Sequence, residues 1–436
     1  IQEIPPLTAM NLRIMPPDGI LEATITLPSS KSLSNRALIL RALTPSGQGS
    51  INNLARCDDT EVLSAALAKG AEVHEVNIGA AGTAMRFLTA YYATLDGCDV
   101  VLDGSERMRR RPISALVDAL RQAGADIDYA AEEGFPPLRI RGRKLTGGEV
   151  KVKSDISSQY ISALLMAGPL MADGLKLTLE GEIASRPYIL MTLGMMAERG
   201  VEADFTGNTI TVPAASYLPG DFTIEGDWSA AAFWYEIAAV SSGFVGLNGV
   251  KLPSLQGDSV VSKIYAHLGI TTEDGEDADM DLLASPDQDA RLNYDFSDCP
   301  DLAQAVITTC SLLGIPFRFT GLRSLRIKET DRIEAMRREL LKIGVPVAVT
   351  GDDLMEWEGK RTPIFEMPNF DTYDDHRMAM ALAAVSIFIP GIIINDAQVV
   401  SKSYPTFWDD MRSAGFSVVD ASEPYEEEAA REATED

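Results

Sequence analysis

Cysteine, histidine and tryptophan are all scarce in this chain: 436 residues hold four, three and four of them. Cys57, Cys98, Cys299 and Cys310 show no paired ligand spacing, which argues against a zinc module. Four thiols in a chain this long read as buried structural residues of a reducing cytoplasm, not as a disulfide framework. Positive charge is also short. Thirty-eight Lys and Arg against 64 Asp and Glu give a formal charge of −26, which repels nucleic acid and anionic membrane alike. Long apolar runs are missing: the greasiest stretch, MALAAVSIFIP, is too short to span a bilayer. The N-terminal stretch has no basic region followed by a long apolar segment, so it does not resemble a secretory signal. Residues 421–436 read as an acidic tail without visible chemistry.

What is present is enough apolar material, 46% of residues, for two domains with substantial cores. Six segments share one pattern, an amphipathic helix ending in glycine and followed by an extended hydrophobic stretch. VLSAALAKGAEV and ALVDALRQAGADI are the first two. The closing glycines are Gly70, Gly124, Gly200, Gly269, Gly344 and Gly415, roughly 55 to 75 residues apart, a period too long for ordinary solenoid repeats.

A second family of six segments is apolar on nearly every face: SNRALILRAL, GTAMRFLTAYYATL, SSQYISALLMAGPLM, DWSAAAFWYEIAAV, DLAQAVITTCSLLG and DHRMAMALAAVSIF. Such helices belong inside a domain. Each begins with a small or capping residue: Ser34, Gly82, Ser157, Asp227, Asp301 and Asp375. A buried helix that opens its N-terminus onto a cleft offers free N–H groups and a positive dipole end to anions. Lys31, Arg36, Arg86 and Arg377 stand near these starts and would strengthen such a site if they converge. Strands are expected at EATITLP, DVVLDG, LRIRG, EVKVK, LKLTLEG, NTITVP, FRFTGL and GIIINDA, making the class α/β. Six-fold repetition divides naturally into three units per domain, with a break near Phe222–Asp227.

The run KETDRIEAMRREL reads as a helix in which Lys328 and Arg332, at i and i+4, share a face with Glu329 beside them. Two cations next to a carboxylate suit an anionic substrate that must gain and lose a proton. By itself the pattern fits a solvated helix start better. Arg107, Arg109 and Arg110 read either as solvated neighbours of Arg111 or as an anion attractor. His74 and His267 read as surface residues, and His376 as a residue that orders a helix start.

Eight motifs in order carry a resemblance: PSSKSLSNR at 28–36, GTAMR at 82–86, RMRRRPI, SSQY, SRPY, KETDR at 328–332, DDHRMAM at 374–380 and SKSYP. Together they closely resemble the EPSP synthase family of enolpyruvyl transferases, from about Leu27 to Phe407. The resemblance implies a two-domain inside-out α/β barrel fold, each domain three repeated β-α-β-α-β-β units with buried helices and outer sheets. It implies one domain at 28–226 and a second, discontinuous one at 1–27 plus 227–436. The implied reaction moves the enolpyruvyl group of phosphoenolpyruvate to the 5-hydroxyl of shikimate 3-phosphate by addition and elimination, with phosphate released. No metal or redox cofactor is implied, and a monomer is.

By the same resemblance, Lys31, Gly82, Arg111, Arg332, Arg377 and Lys402 would hold phosphoenolpyruvate. Ser32, Arg36, Ser157, Ser158, Ser185, Tyr188 and Lys328 would hold shikimate 3-phosphate, with Gln159 touching both. Glu329 would carry the C3 proton and Asp301 receive the 5-hydroxyl proton, with Lys31 and Lys402 sharing acid or base duties. Ala80 and Ser324 stand where the family commonly has asparagine, so each removes an amide expected to meet substrate. The sister enzymes acting on UDP-N-acetylglucosamine carry a reactive cysteine on a loop for which residues 104–115 here offer none.

Overall fold

The computed structural model describes residues 10–153, 158–181, 183 and 185–422; Ser157 and most of the acidic tail lie outside them. The six apolar segments are helices, and they are buried almost throughout: Lys31–Leu43, Gly82–Thr94, Ser158–Ala167, Trp228–Ser241, Ala303–Leu313 and His376–Ala383. Every residue of His376–Ala383 is buried, as is all of Trp228–Ser241 except its last residue. The six glycines expected to close the other helices all take positive φ, from 60° at Gly70 to 100° at Gly124.

Their starts differ in part from expectation. The first helix begins three residues early, capped by Ser30, whose Oγ accepts the Leu33 N–H. Ser34 lies inside it and accepts instead from the Ala55 N–H at 3.0 Å. Asp227 and Asp375 do cap, accepting N–H bonds from Ser229 and Ala230 and from Arg377. Asp301 sits within the short 3-10 turn Pro300–Leu302 that precedes its helix.

Among the described residues, five sheets have four strands and one topology: a parallel pair at one edge, then two strands joined antiparallel. Gly148–Lys153 pairs parallel with Leu175–Glu180, which pairs antiparallel with Thr209–Val212 and through it with Asp204–Thr206. A parallel pair needs a long crossover, and the buried helix Ser158–Ala167 supplies it here. Val150, Leu177 and Ile210 align across the register and are all buried, the alternation expected of a sheet with one face on a core. The sixth sheet keeps only its parallel pair, Ile51–Asn52 with Phe222–Thr223.

These units assemble two separate hydrophobic cores, one drawn from residues 33–224 and the other from 12–27 together with 228–418. The chain crosses between them twice, side by side. Ser30 N–H donates to the Glu225 carbonyl and Asp227 N–H to that of Pro28, both at 2.8 Å. Gln256, 3% exposed, ties the crossing together: its Oε1 accepts from Ser30 Oγ and Trp228 N–H, and its Nε2 donates to the Gly226 carbonyl. No helix among the described residues is long and apolar enough to cross a membrane.

One buried side chain contradicts its surroundings. Glu236 lies inside Trp228–Ser241 with 0% exposure, and neither carboxyl oxygen has a hydrogen-bond partner among the described residues. Burial pushes its carboxyl well above the ordinary 4.5. The folded chain therefore keeps a proton that the unfolded chain releases, so a stability penalty builds as pH rises above the unfolded value. Glu236→Gln is expected to match the parent near pH 4.5 and to gain on it progressively as pH rises toward 8, in thermal or urea unfolding. An equal difference at both pH values would contradict the assignment.

Candidate active site

Helix starts from both cores converge on one cavity. From the first core, the capped start of Lys31–Leu43 presents Lys31 and Ser32, with Arg36 a turn further in. Gly82–Thr94 starts without any side-chain cap, so its first N–H groups, at Gly82 and Thr83, open on the cavity. Ser158–Ala167 brings Ser158 and Gln159, and the start of Arg186–Ala197 brings Ser185 and Tyr188. The second core adds Asp301, Lys328, Glu329, Arg332, His376 and Arg377. Seven cations against four carboxylates, among the described residues, leave this lining positive in a chain of net −26.

The cations are largely occupied by protein groups. Arg332 is 1% exposed, and its guanidinium is shared by three carboxylates: Nε donates to Asp375 at 2.7 Å, Nη1 to Asp301 at 3.0 Å and Nη2 to Glu329 at 2.9 Å. Asp301 also meets Arg377 Nη2 at 3.1 Å and Lys328 Nζ at 3.3 Å. Burial alone would raise the Asp301 carboxyl, but Arg377, Lys328 and Arg332 hold it well below its usual range. Glu329 behaves alike: burial opposes ionisation, and Arg332, Arg111 and Lys31 overcome it. Both acids are therefore carboxylates at neutral pH. Lys31 meets Asp59 at 3.5 Å; burial works against its ammonium, yet Asp59, Cys57 and Glu329 leave its pKa raised. Arg36 is spent on Thr192, Ser162 and the Ser32 and Tyr188 carbonyls, and Arg86 on the Gly82 and Pro112 carbonyls and Met108 sulfur.

Arg111 is the exception. It is 7% exposed, its buried Nε has no partner, and among the described residues it is the cavity-lining cation that makes no hydrogen bond or ion pair. Its guanidinium lies against Gly82, where an added β-carbon would stand 2.6 Å from Nη1. A free guanidinium beside an uncapped helix start is a built anion site. His376 faces the same space with neither ring nitrogen bonded. Burial, with Lys31 and Arg377 close by, pushes its imidazole well below the ordinary 6.5, so it is neutral.

Of the residues singled out from sequence, Lys31, Ser32, Arg36, Gly82, Arg111, Ser158, Gln159, Ser185, Tyr188, Asp301, Lys328, Glu329, Arg332 and Arg377 meet in this cavity. Lys402 does not line it: its ammonium donates to the Asp374 carbonyl, and the neighbouring Ser403 lines the cavity instead. Lys328 and Arg332 do not share a helix face. Asp331 caps the helix Arg332–Lys342, which leaves Lys328 in the loop before it; the two cations meet through Asp301 instead. Arg107 is exposed, as a solvated neighbour of Arg111 would be, but it also makes a bridge that the sequence did not show. It reaches from the other half of the molecule to donate to the Glu329 and Lys328 carbonyls, each at 3.2 Å. Asp59, which pairs with Lys31, was missed; its signal was only an acidic residue in the first turn of Asp58–Ala68. Ser324 lines the cavity, whereas Ala80 is exposed and does not.

A family model described as EPSP synthase (3-phosphoshikimate 1-carboxyvinyltransferase) matches residues 16–77 and 69–411. A 3-phosphoshikimate 1-carboxyvinyltransferase of Bacteroides fragilis (strain YCH46) is 51% identical over 400 residues, covering 91% of this chain and 96% of that one. One from Aliivibrio salmonicida (strain LFI1238) is 37% identical over 426 residues, covering 91% and 97%. In fold alone, the chain matches a solved EPSP synthase from Acinetobacter baumannii with a TM-score of 0.75 at 23% identity, covering 94% of this chain and 100% of that one. Family model and relatives agree over nearly the whole length, and the chain belongs to the EPSP synthase (3-phosphoshikimate 1-carboxyvinyltransferase) family.

Proposed function

We propose that this chain transfers the enolpyruvyl group of phosphoenolpyruvate to the 5-hydroxyl of shikimate 3-phosphate and releases phosphate. The observation that carries the reading is the unpartnered Arg111 guanidinium at the uncapped start of Gly82–Thr94, beside the ionised Glu329. Phosphoenolpyruvate would sit there, its anionic groups on Arg111, the Gly82 and Thr83 N–H groups and Lys31, with Arg377 and Arg332 behind. Shikimate 3-phosphate would lie against Ser32, Arg36, Ser158, Gln159, Ser185, Tyr188 and Lys328. Ser157 is read with them, outside the described residues. The units 28–226 and 1–27 plus 227–436 would be the two domains whose cleft the substrates share. Lys402 would join once substrate charge draws its ammonium from the Asp374 carbonyl.

Glu329 begins as a carboxylate because cations surround it. Bound phosphoenolpyruvate brings negative charge to those same cations, which raises the carboxyl toward protonation and lets it deliver a proton to C3. C2 then becomes electrophilic and the 5-oxygen bonds to it. Asp301, spread over three cations, is a weak base; it accepts the 5-hydroxyl hydrogen bond and takes the proton only as the C–O bond forms. In the second step Glu329 takes a proton back from C3, the C2–O bond to phosphate breaks, and phosphate leaves. The arginines and lysines stabilise the phosphate charge throughout.

Phosphate release from phosphoenolpyruvate is expected with shikimate 3-phosphate and not with UDP-N-acetylglucosamine; release only with the sugar nucleotide would replace this reading. Glu329→Gln is expected to lower kcat by roughly a hundredfold or more, since general acid–base groups contribute on that order. Near-normal turnover would remove Glu329 from the proton path. Gly82→Ala places a β-carbon 2.6 Å from Arg111 Nη1 and displaces that guanidinium. KM for phosphoenolpyruvate should rise by about tenfold or more while KM for shikimate 3-phosphate holds. An equal rise in both would show that Arg111 does not serve phosphoenolpyruvate selectively.

A further inference from the structure

Tyr188 belongs to the first core but is held from the second. Its hydroxyl donates to both carboxylate oxygens of Asp258, each at 3.0 Å, and Asp258 sits in the 3-10 turn Gly257–Val260 of the other half. The approach is tight. A β-carbon on Gly257 would stand 2.2 Å from Pro187 Cβ, so the glycine is what lets the turn reach the start of Arg186–Ala197. The same helix start is gripped twice more across the cleft: Ser185 N–H donates to the Ser297 carbonyl at 2.8 Å, and Arg186 N–H to Asp298 Oδ1 at 3.2 Å. Asp258 is 2% exposed, lies outside the cavity lining, and also accepts from the Ser229 hydroxyl.

We infer that Asp258 is a positioning residue for shikimate 3-phosphate, fixing the Tyr188 hydroxyl from across the cleft. The inference rests on the reading of Tyr188 as a contact of that substrate. Two features set Asp258 apart from an ordinary structural acid. Its partner is a cavity-lining phenol on the opposite half, so the bond exists only while the two halves are together. Its ionised form also works against the fold. Burial, then Asp301, and further on Asp227, push the carboxyl up to about 6, opposed by the Ser229 hydroxyl and by Arg377. An acid raised above its ordinary 3.8 loses stability for the fold as pH climbs from that value through about 6. A carboxylate kept at that cost and bonded to a cavity-lining phenol is a candidate functional group. Tyr188, for its part, is held protonated by burial and by Asp258 and Asp301, so at neutral pH the pair is phenol and carboxylate, a charge-assisted bond.

The test measures KM for both substrates and thermal stability across pH in the full chain, for Asp258→Asn, Tyr188→Phe and the double variant. Asp258→Asn should raise KM for shikimate 3-phosphate by about tenfold at pH 8 and leave that for phosphoenolpyruvate in place. Titration of the substrate's own phosphate cancels in the ratio of variant to parent. That ratio should fall toward one as pH drops through about 6, where the parent loses its charge as well. The unfolding temperature of Asp258→Asn at pH 8 should equal or exceed the parent's. Tyr188→Phe should raise the same KM, and Asp258→Asn should then add nothing. If Tyr188→Phe raises KM but Asp258→Asn does not, the inference is overturned while Tyr188 keeps its assignment. If Tyr188→Phe changes nothing, the assignment of Tyr188 fails and takes the inference with it. A lower unfolding temperature with both KM values rising together would make Asp258 a structural residue and overturn the inference.

Discussion

The rest of the site depends on one buried guanidinium. Arg332 is almost fully enclosed, and an isolated ion at that depth costs several kcal/mol. It is tolerated because Asp375, Asp301 and Glu329 surround it, and each of the three comes from a different element. Asp375 caps His376–Ala383, Asp301 lies in the turn leading to Ala303–Leu313, and Glu329 sits in the loop that Asp331 ends. One side chain thus sets the relative placement of two helix starts and a loop. It also helps hold Asp301 and Glu329 ionised. Because so much of Arg332 is committed to the protein, the ready anion donor falls to Arg111, on the other side of the cleft, where no group among the described residues competes for it.

The protein is strongly acidic and binds anions, and helix burial reconciles the two facts. Apolar helices placed inside each half can point only their starts toward the opening, where N–H groups and cations gather. Facing starts from two cores make a divided site, so contacts that bridge the cleft act on chemistry as well as on shape. Arg107 on the Lys328 and Glu329 carbonyls is one such bridge, and Asp258 on Tyr188 is another. The doubled crossing at Ser30 and Asp227, clipped by Gln256, is the covalent end of the same arrangement.

Local periodicity made most of the fold legible. Apolar helices declare themselves when no polar face exists, closing glycines when φ must be positive, and the eight proposed strands alternate or run apolar at short length. The parallel-then-antiparallel order of each sheet was not readable, since pairing is set by what packs across space. In the site, helix-start residues such as Lys31, Gly82 and Arg377 were legible because a cap or glycine and a cation coincide there, whereas Ser32, Ser158, Ser185 and Tyr188 came only from the motif resemblance. Where the guess leaned on helical spacing alone it failed: Lys328 and Arg332 meet through Asp301, 27 residues before Lys328, and no local rule joins them. Asp59, Arg107 and Asp258 were missed or misread for the same reason, as each acts on a partner far away in sequence. Lys402 shows the reverse limit, a motif residue whose side chain turns to a nearby carbonyl.

The central claim is that the buried cations keep Glu329 ionised in the free protein, so that substrate binding, not the resting fold, protonates it. Carboxyl carbon-13 titration of the labelled protein, with Glu329 assigned by its loss in Glu329→Gln, measures this directly. The account predicts that in the free protein the Glu329 signal is still that of a carboxylate at pH 4.5, the ordinary glutamate midpoint, and moves toward the acid form when phosphoenolpyruvate is added. A Glu329 signal already half protonated at or above that pH without substrate would contradict it.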